Sequence, residues 1–225
     1  MEVFGKLLLW VDPVPRPGPE AMAVDEWLLE TASMPVLRVY RWAGDWGSVG
    51  YFGKVAEAAA AFPGLHLVRR WTGGGIVDHR ADWTYTMVAP QGEPLAGWRG
   101  AESYRRIHEA LAETLAAEGV AARFSTGEEE TGAVLCFDNP VSHDLVRVAG
   151  NKLAGAGQRR SRQGLLHQGS VAAGCGDDAR SRARAEEFAS RLSTTWELFQ
   201  IQPDSDDLSR RVDARYALRE WTHRR

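Results

Sequence analysis

"NKLAGAGQRRSRQGLLHQGSV", residues 151–171, predicts two strands joined by a short basic turn. The first strand begins with a single lysine, Lys152, and then contains two glycines, Gly155 and Gly157. Glycine weakens the interior of a strand unless another group approaches the backbone closely. A lysine beside so bare a backbone suits an anionic or carbonyl ligand, and an exposed hairpin lysine is the ordinary alternative.

On both sides of this hairpin the sequence continues as short strand-like runs, interrupted by two longer helical ones. Apolar residues at helical spacing predict helices over residues 20–33 and 102–119, the second of which ends at Gly119. Further strands are predicted at residues 7–11, 35–42, 47–53, 65–71, 82–90, 120–125, 133–137 and 144–148. Because this order lacks a regular strand–helix–strand rhythm, it favours an α/β protein of the α+β type over a doubly wound sheet.

Composition narrows the class of protein. The 225 residues suit one domain, or one domain with a small appendage. The net charge of −3 provides no global basic field, so neither a nucleic acid nor a membrane surface is expected as a partner. The two cysteines form no disulfide framework, and no run approaches the roughly 20 apolar residues of a membrane-spanning helix. These features predict a cytoplasmic protein.

A second bare segment is RRWTGGGIVDH, residues 69–79. It contains three consecutive glycines: Gly73, Gly74 and Gly75. Such a loop can approach a ligand closely and direct its N–H groups at an anion, and we expect at least one glycine to have a positive φ. The preceding Arg69 and Arg70 are donors suited to a carboxylate or a phosphate. A plain glycine turn with surface arginines is the alternative, because the motif matches neither a Walker loop nor a dinucleotide fingerprint.

The third stretch that could carry chemistry is VLCFDNPVSHDLV, residues 134–146, in which Cys136 lies in an apolar strand just before a turn. A buried cysteine is usually inert, and it becomes a nucleophile where a nearby group stabilises its thiolate. Lys152 follows across an apparent hairpin, where it could act through its charge or, if burial lowers its pKa, accept the thiol proton. No metal site is predicted, and no Ser-His-Asp pattern is visible from local spacing.

Five stretches, taken in order, resemble the characteristic blocks of the lipoate–protein ligase and octanoyltransferase family. They are GPEAMAVDEWLL, VYRWAGDWGSVGYFG, RRWTGGGIVDHRADWTYTMVA, CFDNPVSHDLV and NKLAGAGQRR…LLHQGSV, from about residue 18 to about residue 173. The resemblance implies a fold related to the catalytic domains of biotin ligases and class II synthetases, with a mixed central sheet and flanking helices. It implies a catalytic domain over residues 1–176, and we expect residues 177–225 to form a helical extension packed on it.

The resemblance also implies which residues act. Lys152 corresponds to the essential lysine of the family. One octanoyltransferase class has a Cys-Phe pair just upstream of that lysine, so Cys136 is the implied nucleophile, whereas Cys175 follows the hairpin too closely to match the other class. The implied substrate-binding residues are Arg69, Arg70, Gly73, Gly74, Gly75, His79, Gly155, Gly157, His167 and Gly169. The small residues of the hairpin are expected to let an acyl chain lie against the backbone.

The implied activity is transfer of an octanoyl or lipoyl group to the lysine of a lipoyl carrier domain, of the E2 or glycine cleavage H type. In the transferase interpretation the donor is an acyl-carrier-protein thioester, the intermediate is a cysteine acyl-enzyme and no cofactor is required. The alternatives are an ATP-dependent lipoate–protein ligase, which requires ATP and Mg²⁺, and a non-catalytic relative that binds acyl groups or carriers. Gly157, Gln168 and Trp83 differ from the residues usual at these positions of the family, so the acyl pocket is expected to differ in shape.

Overall fold

The computed structural model describes residues 2–133, 135–174 and 177–224. Its strands form a sheet of eight strands and a smaller sheet of three. The strands are β1 (Leu7–Val11), β2 (Val36–Tyr40), β3 (Trp46–Val49), β4 (His66–Arg69), β5 (Ile76–Asp78), β6 (Trp83–Pro90), β7 (Arg123–Phe124), β8 (Leu145–Val146), β9 (Lys152–Ser161), β10 (Gly164–Val171) and β11 (Trp196–Leu198).

The large sheet has the order β11-β1-β2-β6-β10-β9-β8-β7. Strand β1 runs parallel to β2 and β11, whereas the remaining neighbours are antiparallel, so the sheet is mixed as expected. The hairpin predicted over residues 151–171 is β9–β10. Because β10 pairs with β6 on one side and with β9 on the other over its whole length, this hairpin lies at the centre of the sheet.

Helices cover both faces of the large sheet. They are α1 (Gly18–Thr31), α2 (Val55–Ala61), α3 (Pro94–Gly97), α4 (Gly100–Ala117), α5 (Asp178–Leu192), α6 (Ser205–Arg211) and α7 (Arg219–Thr222), with a 3₁₀ turn at Cys136–Asp138 and a π-helical turn at Val212–Tyr216. One core lies between the sheet, α4 and α5, and a second lies between the sheet, α1 and α6. Leu165 and Leu166 enter opposite cores, as the alternation of side chains along a strand requires. None of the described helices combines the length and apolar character needed to cross a bilayer.

The small sheet carries the glycine loop. Strand β3 lies between β4, to which it is parallel, and β5, to which it is antiparallel. Val49 and Ile76 of this sheet pack against Val55 and Ala58 of α2 in a third small core. Residues 70–75 connect β4 to β5, so the sheet fixes both ends of the loop.

One prediction of secondary structure was wrong and one helix was missed. The described residues of the strand predicted at 133–137 do not form one: Leu135 makes a single parallel bridge to Ile76, and Cys136 then opens the 3₁₀ turn. The Asp-Asn-Pro sequence that follows explains the turn, because proline disfavours a helical residue before it and cannot donate to a ladder. The helix α2 was not predicted, although its alanine-rich sequence has high helix propensity.

The C-terminal segment was expected to be helical, but it contains a strand as well as helices. This strand is β11, which pairs with β1 at the edge of the large sheet. Phe188 belongs to the same core as β6 and β10, and Leu208 and Tyr216 pack in the core around α1. Both main cores therefore contain residues from each side of position 176, and the division into a domain and an extension remains an interpretation.

Candidate active site

A narrow cavity of about 20 Å³ lies where the small sheet meets β9 and β10. Six residues implied by the sequence line it: Arg70, His79, Cys136, Gly155, Gly157 and Gly169. A wider cleft of about 530 Å³ between β1, β2 and α5 does not contain Cys136. The narrow cavity is therefore the better candidate for a site of acyl chemistry, despite its smaller size.

Cys136 lines this cavity and contacts Lys152, which is not itself a lining residue. The Lys152 Nζ atom lies 3.3 Å from the Cys136 Sγ atom and 3.4 Å from the backbone oxygen of Asn139. The cysteine is half-buried, and only 6% of Lys152 is exposed. An ammonium at this distance stabilises a negative charge on the sulfur, which is the form in which cysteine acts as a nucleophile.

The buried carboxylate of Asp144 holds Lys152 in place. Its Oδ2 atom lies 2.6 Å from the Lys152 Nζ atom and accepts the N–H of Val141 over 2.8 Å. The Tyr104 hydroxyl donates to Oδ1 of the same carboxylate and accepts the N–H of Ala156 over 2.8 Å. Both carboxylate oxygens are thus occupied, and the lysine is fixed relative to α4 and β9.

The charge of Lys152 follows from these contacts. Burial by itself lowers the pKa of Lys152, but the negative charges of Cys136 and Asp144 outweigh it, so the pKa is raised above its usual value. The lysine therefore remains an ammonium. Of the two roles that the sequence left open, the raised pKa and the Asp144 contact favour the electrostatic one, whereas a role as proton acceptor depends on a lowered pKa.

The first glycine of the hairpin makes room for Lys152 itself. Between the pairs Leu145–Ala154 and Val146–Lys152, β9 contains one residue more than β8, which is a β-bulge. A Cβ atom at Gly155 would lie 2.4 Å from the Cε atom of Lys152. The bulge therefore brings the lysine side chain over Gly155, where no side chain can be accommodated.

Two further glycines also make room for atoms of the protein. A Cβ atom at Gly157 would lie 2.4 Å from the backbone oxygen of Gly73 and 2.8 Å from the Oγ1 atom of Thr72. A Cβ atom at Gly169 would lie 2.2 Å from the Cζ atom of Tyr85. Protein atoms thus fill the space of the missing side chains, whereas the backbone of all three glycines lines the cavity. An acyl chain lying against this backbone stays a prediction.

Arg70 stabilises the glycine loop through hydrogen bonds to its backbone. Its guanidinium donates to the backbone oxygens of Gly73 over 3.0 Å and Gly75 over 2.8 Å, and to the Oγ atom of Ser48 over 2.8 Å. Gly74 has a φ of 94°, which confirms the expected positive φ in this loop. No described residue accepts a backbone hydrogen bond from the N–H groups of the three glycines. These donors are suited to a carbonyl or anionic oxygen of a ligand.

Arg69 lies outside the cavity, where it stabilises the fold. It is fully buried, and its guanidinium donates only to backbone oxygens. These belong to Gly50, Tyr51, Gly53, Trp221, Thr222 and Arg224. Arg69 therefore joins the loop after β3 to the C-terminal segment, and it does not line the cavity.

His79 connects two polar residues at the cavity wall. Its Nε2 atom lies 2.7 Å from the Oγ atom of Ser48, and its Nδ1 atom lies 2.8 Å from the Oδ2 atom of Asp82. Trp42 stacks on the imidazole with the ring centres 4.1 Å apart. A guanidinium is a donor only, so the Ser48 oxygen accepts from Arg70 and its hydrogen can be donated to Nε2. In the tautomer that matches this arrangement, the Nδ1–H group of His79 donates to Asp82.

His167 points away from the cavity, towards the face of the large sheet that α4 covers. It contacts the Tyr85 hydroxyl over 3.1 Å and the Gln158 amide over 3.0 Å, in the core below α4. Burial lowers its pKa well below the usual value, so it is uncharged there. The neighbouring Gln168 does line the cavity and accepts the Thr72 hydroxyl over 2.7 Å at the base of the glycine loop. The structure thus brings Gln168, rather than His167, to the site.

Several residues of the site were not found from the sequence. They are Ser48, Asp82, Tyr104, Asn139, Asp144 and Gln168 as a hydrogen-bonding group. His79 and Asp82 are close in sequence, so their contact could have been suspected from spacing. The contacts of Ser48, Gln168 and Asp144 join distant parts of the chain. Within the described residues, no three His, Cys, Asp or Glu side chains are grouped to hold a metal ion. Cys175 lies outside the described residues.

Residues 17–190 match the family model of the lipoyl protein ligase A/B catalytic domain. The chain belongs to this family. Octanoyltransferase LipM of Kyrpidia tusciae is 35% identical over 165 residues, which cover 67% of this chain and 60% of the relative. LipM of Symbiobacterium thermophilum is 34% identical over 186 residues, which cover 76% and 66%. The chain therefore spans less than two-thirds of the length of either relative.

Solved structures show the same fold. Lipoate-protein ligase A bound with ATP superposes with a TM-score of 0.72 at 22% identity, covering 99% of both chains. A bipartite lipoate protein ligase from Thermoplasma acidophilum, studied with its E2 lipoyl domain, gives 0.71 at 20% identity and covers 99% of this chain and 97% of that one. The resemblance recognised in the sequence and the expected fold are both confirmed.

Proposed function

We propose that this lipoyl protein ligase A/B family member transfers an octanoyl or lipoyl group to the lysine of a lipoyl carrier domain in the cytoplasm, through an acyl-enzyme at Cys136. The observation that carries the proposal is the 3.3 Å contact between the Cys136 sulfur and the Lys152 ammonium at the cavity wall. A fixed positive charge beside a half-buried thiol is the environment of a reactive cysteine. The relatives named octanoyltransferase support transfer over ligation.

In the first step the Cys136 thiolate attacks the acyl carbon of an acyl-carrier-protein thioester. A new C–S bond forms, the donor C–S bond breaks, and its electron pair leaves on the sulfur of the donor. The thioester is already activated, so this step requires no ATP. The N–H groups of the loop at Gly73–Gly75 provide donors for the carbonyl oxygen as negative charge develops on it.

In the second step the amine of a carrier lysine attacks the acyl-enzyme. The C–N bond of the amide forms, the bond from the acyl carbon to Cys136 breaks, and the thiolate is restored beside Lys152. The acceptor is proposed to be an E2 or glycine cleavage H type domain. The Thermoplasma ligase that shares this fold has an E2 lipoyl domain as its partner, and this supports the choice of acceptor.

The alternative function is ATP-dependent ligation, because the same fold accommodates ATP in lipoate-protein ligase A. One assay separates the two functions. Purified protein is incubated with a lipoyl domain and either octanoyl-carrier thioester or free lipoate with ATP and Mg²⁺, and the mass of the lipoyl domain is measured. We expect modification with the thioester alone. Modification only with lipoate and ATP would establish the ligase, and carrier binding without modification in either mixture would establish a non-catalytic relative.

A further inference from the structure

The cavity contains a second group of reactive side chains that the attack by Cys136 does not use. Ser48, His79 and Asp82 form a continuous chain with successive contacts of 2.7 and 2.8 Å. All three side chains are buried, and Ser48 and His79 line the same cavity as Cys136. A hydroxyl, an imidazole and a carboxylate in this order make up a proton-accepting relay whatever their order in the sequence.

The proposed second step requires such a relay. A neutral amine that becomes an amide must lose one proton, and the group that takes it must be uncharged and basic. Lys152 is paired with the Asp144 carboxylate over 2.6 Å, which favours its ammonium form, and Arg70 is a guanidinium. Burial raises the pKa of Tyr40 well above its usual value, so it does not act as a base. Among the described residues that line the cavity, His79 is the remaining nitrogen base.

We propose that Ser48, His79 and Asp82 accept the proton of the carrier lysine during acyl transfer. The inference rests on the proposed function. As the amine electron pair forms the C–N bond, the amine proton passes to the Ser48 oxygen and the Ser48 proton passes to the Nε2 atom of His79. The electrons of the broken C–S bond remain on the Cys136 sulfur. Solvent then removes the proton from the imidazolium.

Asp82 is a positioning residue in this relay. It accepts from the Nδ1 atom of His79 and also receives the hydroxyls of Thr84 over 3.0 Å and Ser170 over 2.5 Å. These contacts hold its Oδ2 atom towards the imidazole. A carboxylate there fixes the tautomer that leaves Nε2 free to accept, and it stabilises the imidazolium after proton transfer.

The other charged groups near His79 are paired with each other or directed elsewhere. Asp78 and Arg80 flank it in sequence and form an ion pair of 2.6 Å. Arg70 reaches His79 only through Ser48. On the remaining side the neutral ring of Trp42 covers the imidazole. The relay is therefore separated from the Lys152–Asp144 pair, and the two can be tested independently.

The test separates the two steps by intact mass. First, the enzyme is mixed with octanoyl-carrier thioester and the appearance of acyl-enzyme is timed. Second, the isolated acyl-enzyme is mixed with lipoyl domain and the loss of its acyl group is timed. The variants are His79→Ala and Ser48→Ala, with His223→Ala as the control because His223 is exposed in the C-terminal segment. Formation of acyl-enzyme also reports that each variant is folded.

General-base catalysis typically contributes about 10²- to 10⁴-fold, so we expect His79→Ala to slow the second step about 100-fold or more while the first changes little. Added imidazole should partly restore the second step in His79→Ala and not in Ser48→Ala. Equal slowing of both steps, or an unchanged second step, would overturn the relay. If the wild-type enzyme forms no acyl-enzyme at all, the proposed function fails instead, so the two failures are distinguishable.

Discussion

Asp144 decides what Lys152 can do. The carboxylate, 2.6 Å from the ammonium, acts with the charge of Cys136 to raise the pKa of Lys152 against the effect of burial, so it favours the charged form that stabilises a thiolate. The pair also has a structural consequence that the sequence did not predict. Removing one member of a buried ion pair leaves the other charge unpaired, which costs about 3–5 kcal/mol. A lysine that only lined an open cleft would have no such effect.

Lys152→Ala should therefore lower both turnover and stability. We expect transfer to fall at least about 100-fold, as for loss of a preorganised electrostatic group, and the free energy of unfolding to fall by about 3 kcal/mol. The double variant Lys152→Met with Asp144→Asn removes both charges and should recover part of the stability but not the turnover. Recovery is partial because an asparagine accepts only one of the two hydrogen bonds that Tyr104 and Val141 donate to the carboxylate. The measurements are urea unfolding and octanoyl transfer, with the exposed Lys54→Ala as control. Near-native turnover in Lys152→Ala would remove the site assignment.

The β9–β10 hairpin is the element on which the site is assembled. It supplies Lys152 at one end, a bulge that turns this lysine over Gly155, and a bare backbone against which the glycine loop packs. The contact between Gly157 and the backbone oxygen of Gly73 joins the large sheet to the small one. Because that neighbour is backbone rather than a flexible side chain, it cannot move without displacing the loop.

Gly157→Ala should displace the loop. The added Cβ atom would meet the Gly73 oxygen at 2.4 Å, and overpacking of this kind costs about 1–3 kcal/mol. We expect formation of the acyl-enzyme to slow more than the loss of stability alone explains, since the N–H donors shift away from the carbonyl. The matched control is Gly97→Ala, where a Cβ atom meets no neighbour. An acylation rate equal to that of the control would show that the contact does not position the loop.

The sequence was most informative where one element is long and patterned. It predicted the hairpin and the helices α1 and α4, because their patterns are local. It misassigned the segment around Cys136, where a bridge of one residue and a 3₁₀ turn depend on Ile76 in another sheet. The apparent hairpin placed Lys152 near Cys136, and the family resemblance pointed to the same two residues. Asp144 and Ser48 reach the site through strand register, which spacing alone does not reveal.

In the molecule as a whole, a few polar side chains lie inside the apolar core between the large sheet and α4. His108 and His167 are buried near Tyr104, with their ring centres 5.7 Å apart. Burial lowers the pKa of His108 to about 4 and that of His167 well below its usual value. Both must therefore be neutral in the folded protein, which makes its stability sensitive to acid.

The free energy of unfolding should fall as the pH drops from 6.5 to about 4. In this window the unfolded chain binds a proton at His108 that the folded chain does not, so acid favours unfolding. His108→Gln keeps a donor for the His143 oxygen, which lies 2.7 Å from the imidazole, and removes the titration. We expect the free energy of unfolding of this variant to change less steeply with pH than that of the wild type, by up to about 1.4 kcal/mol per pH unit. Urea unfolding at several pH values, with exposed His223→Gln as control, measures the difference; identical slopes would contradict the assignment.

Acyl transfer through Cys136 is tested most directly by the intact mass of the protein after mixing with octanoyl-carrier thioester in the absence of ATP. We expect a gain of one octanoyl group on Cys136, which is lost again when lipoyl domain is added. Cys136→Ser should abolish this thioester, and Cys175→Ser should retain it. Retention of full ATP-dependent lipoylation by Cys136→Ser, without any acyl-enzyme in the wild type, would contradict this mechanism and show that the chain is a ligase.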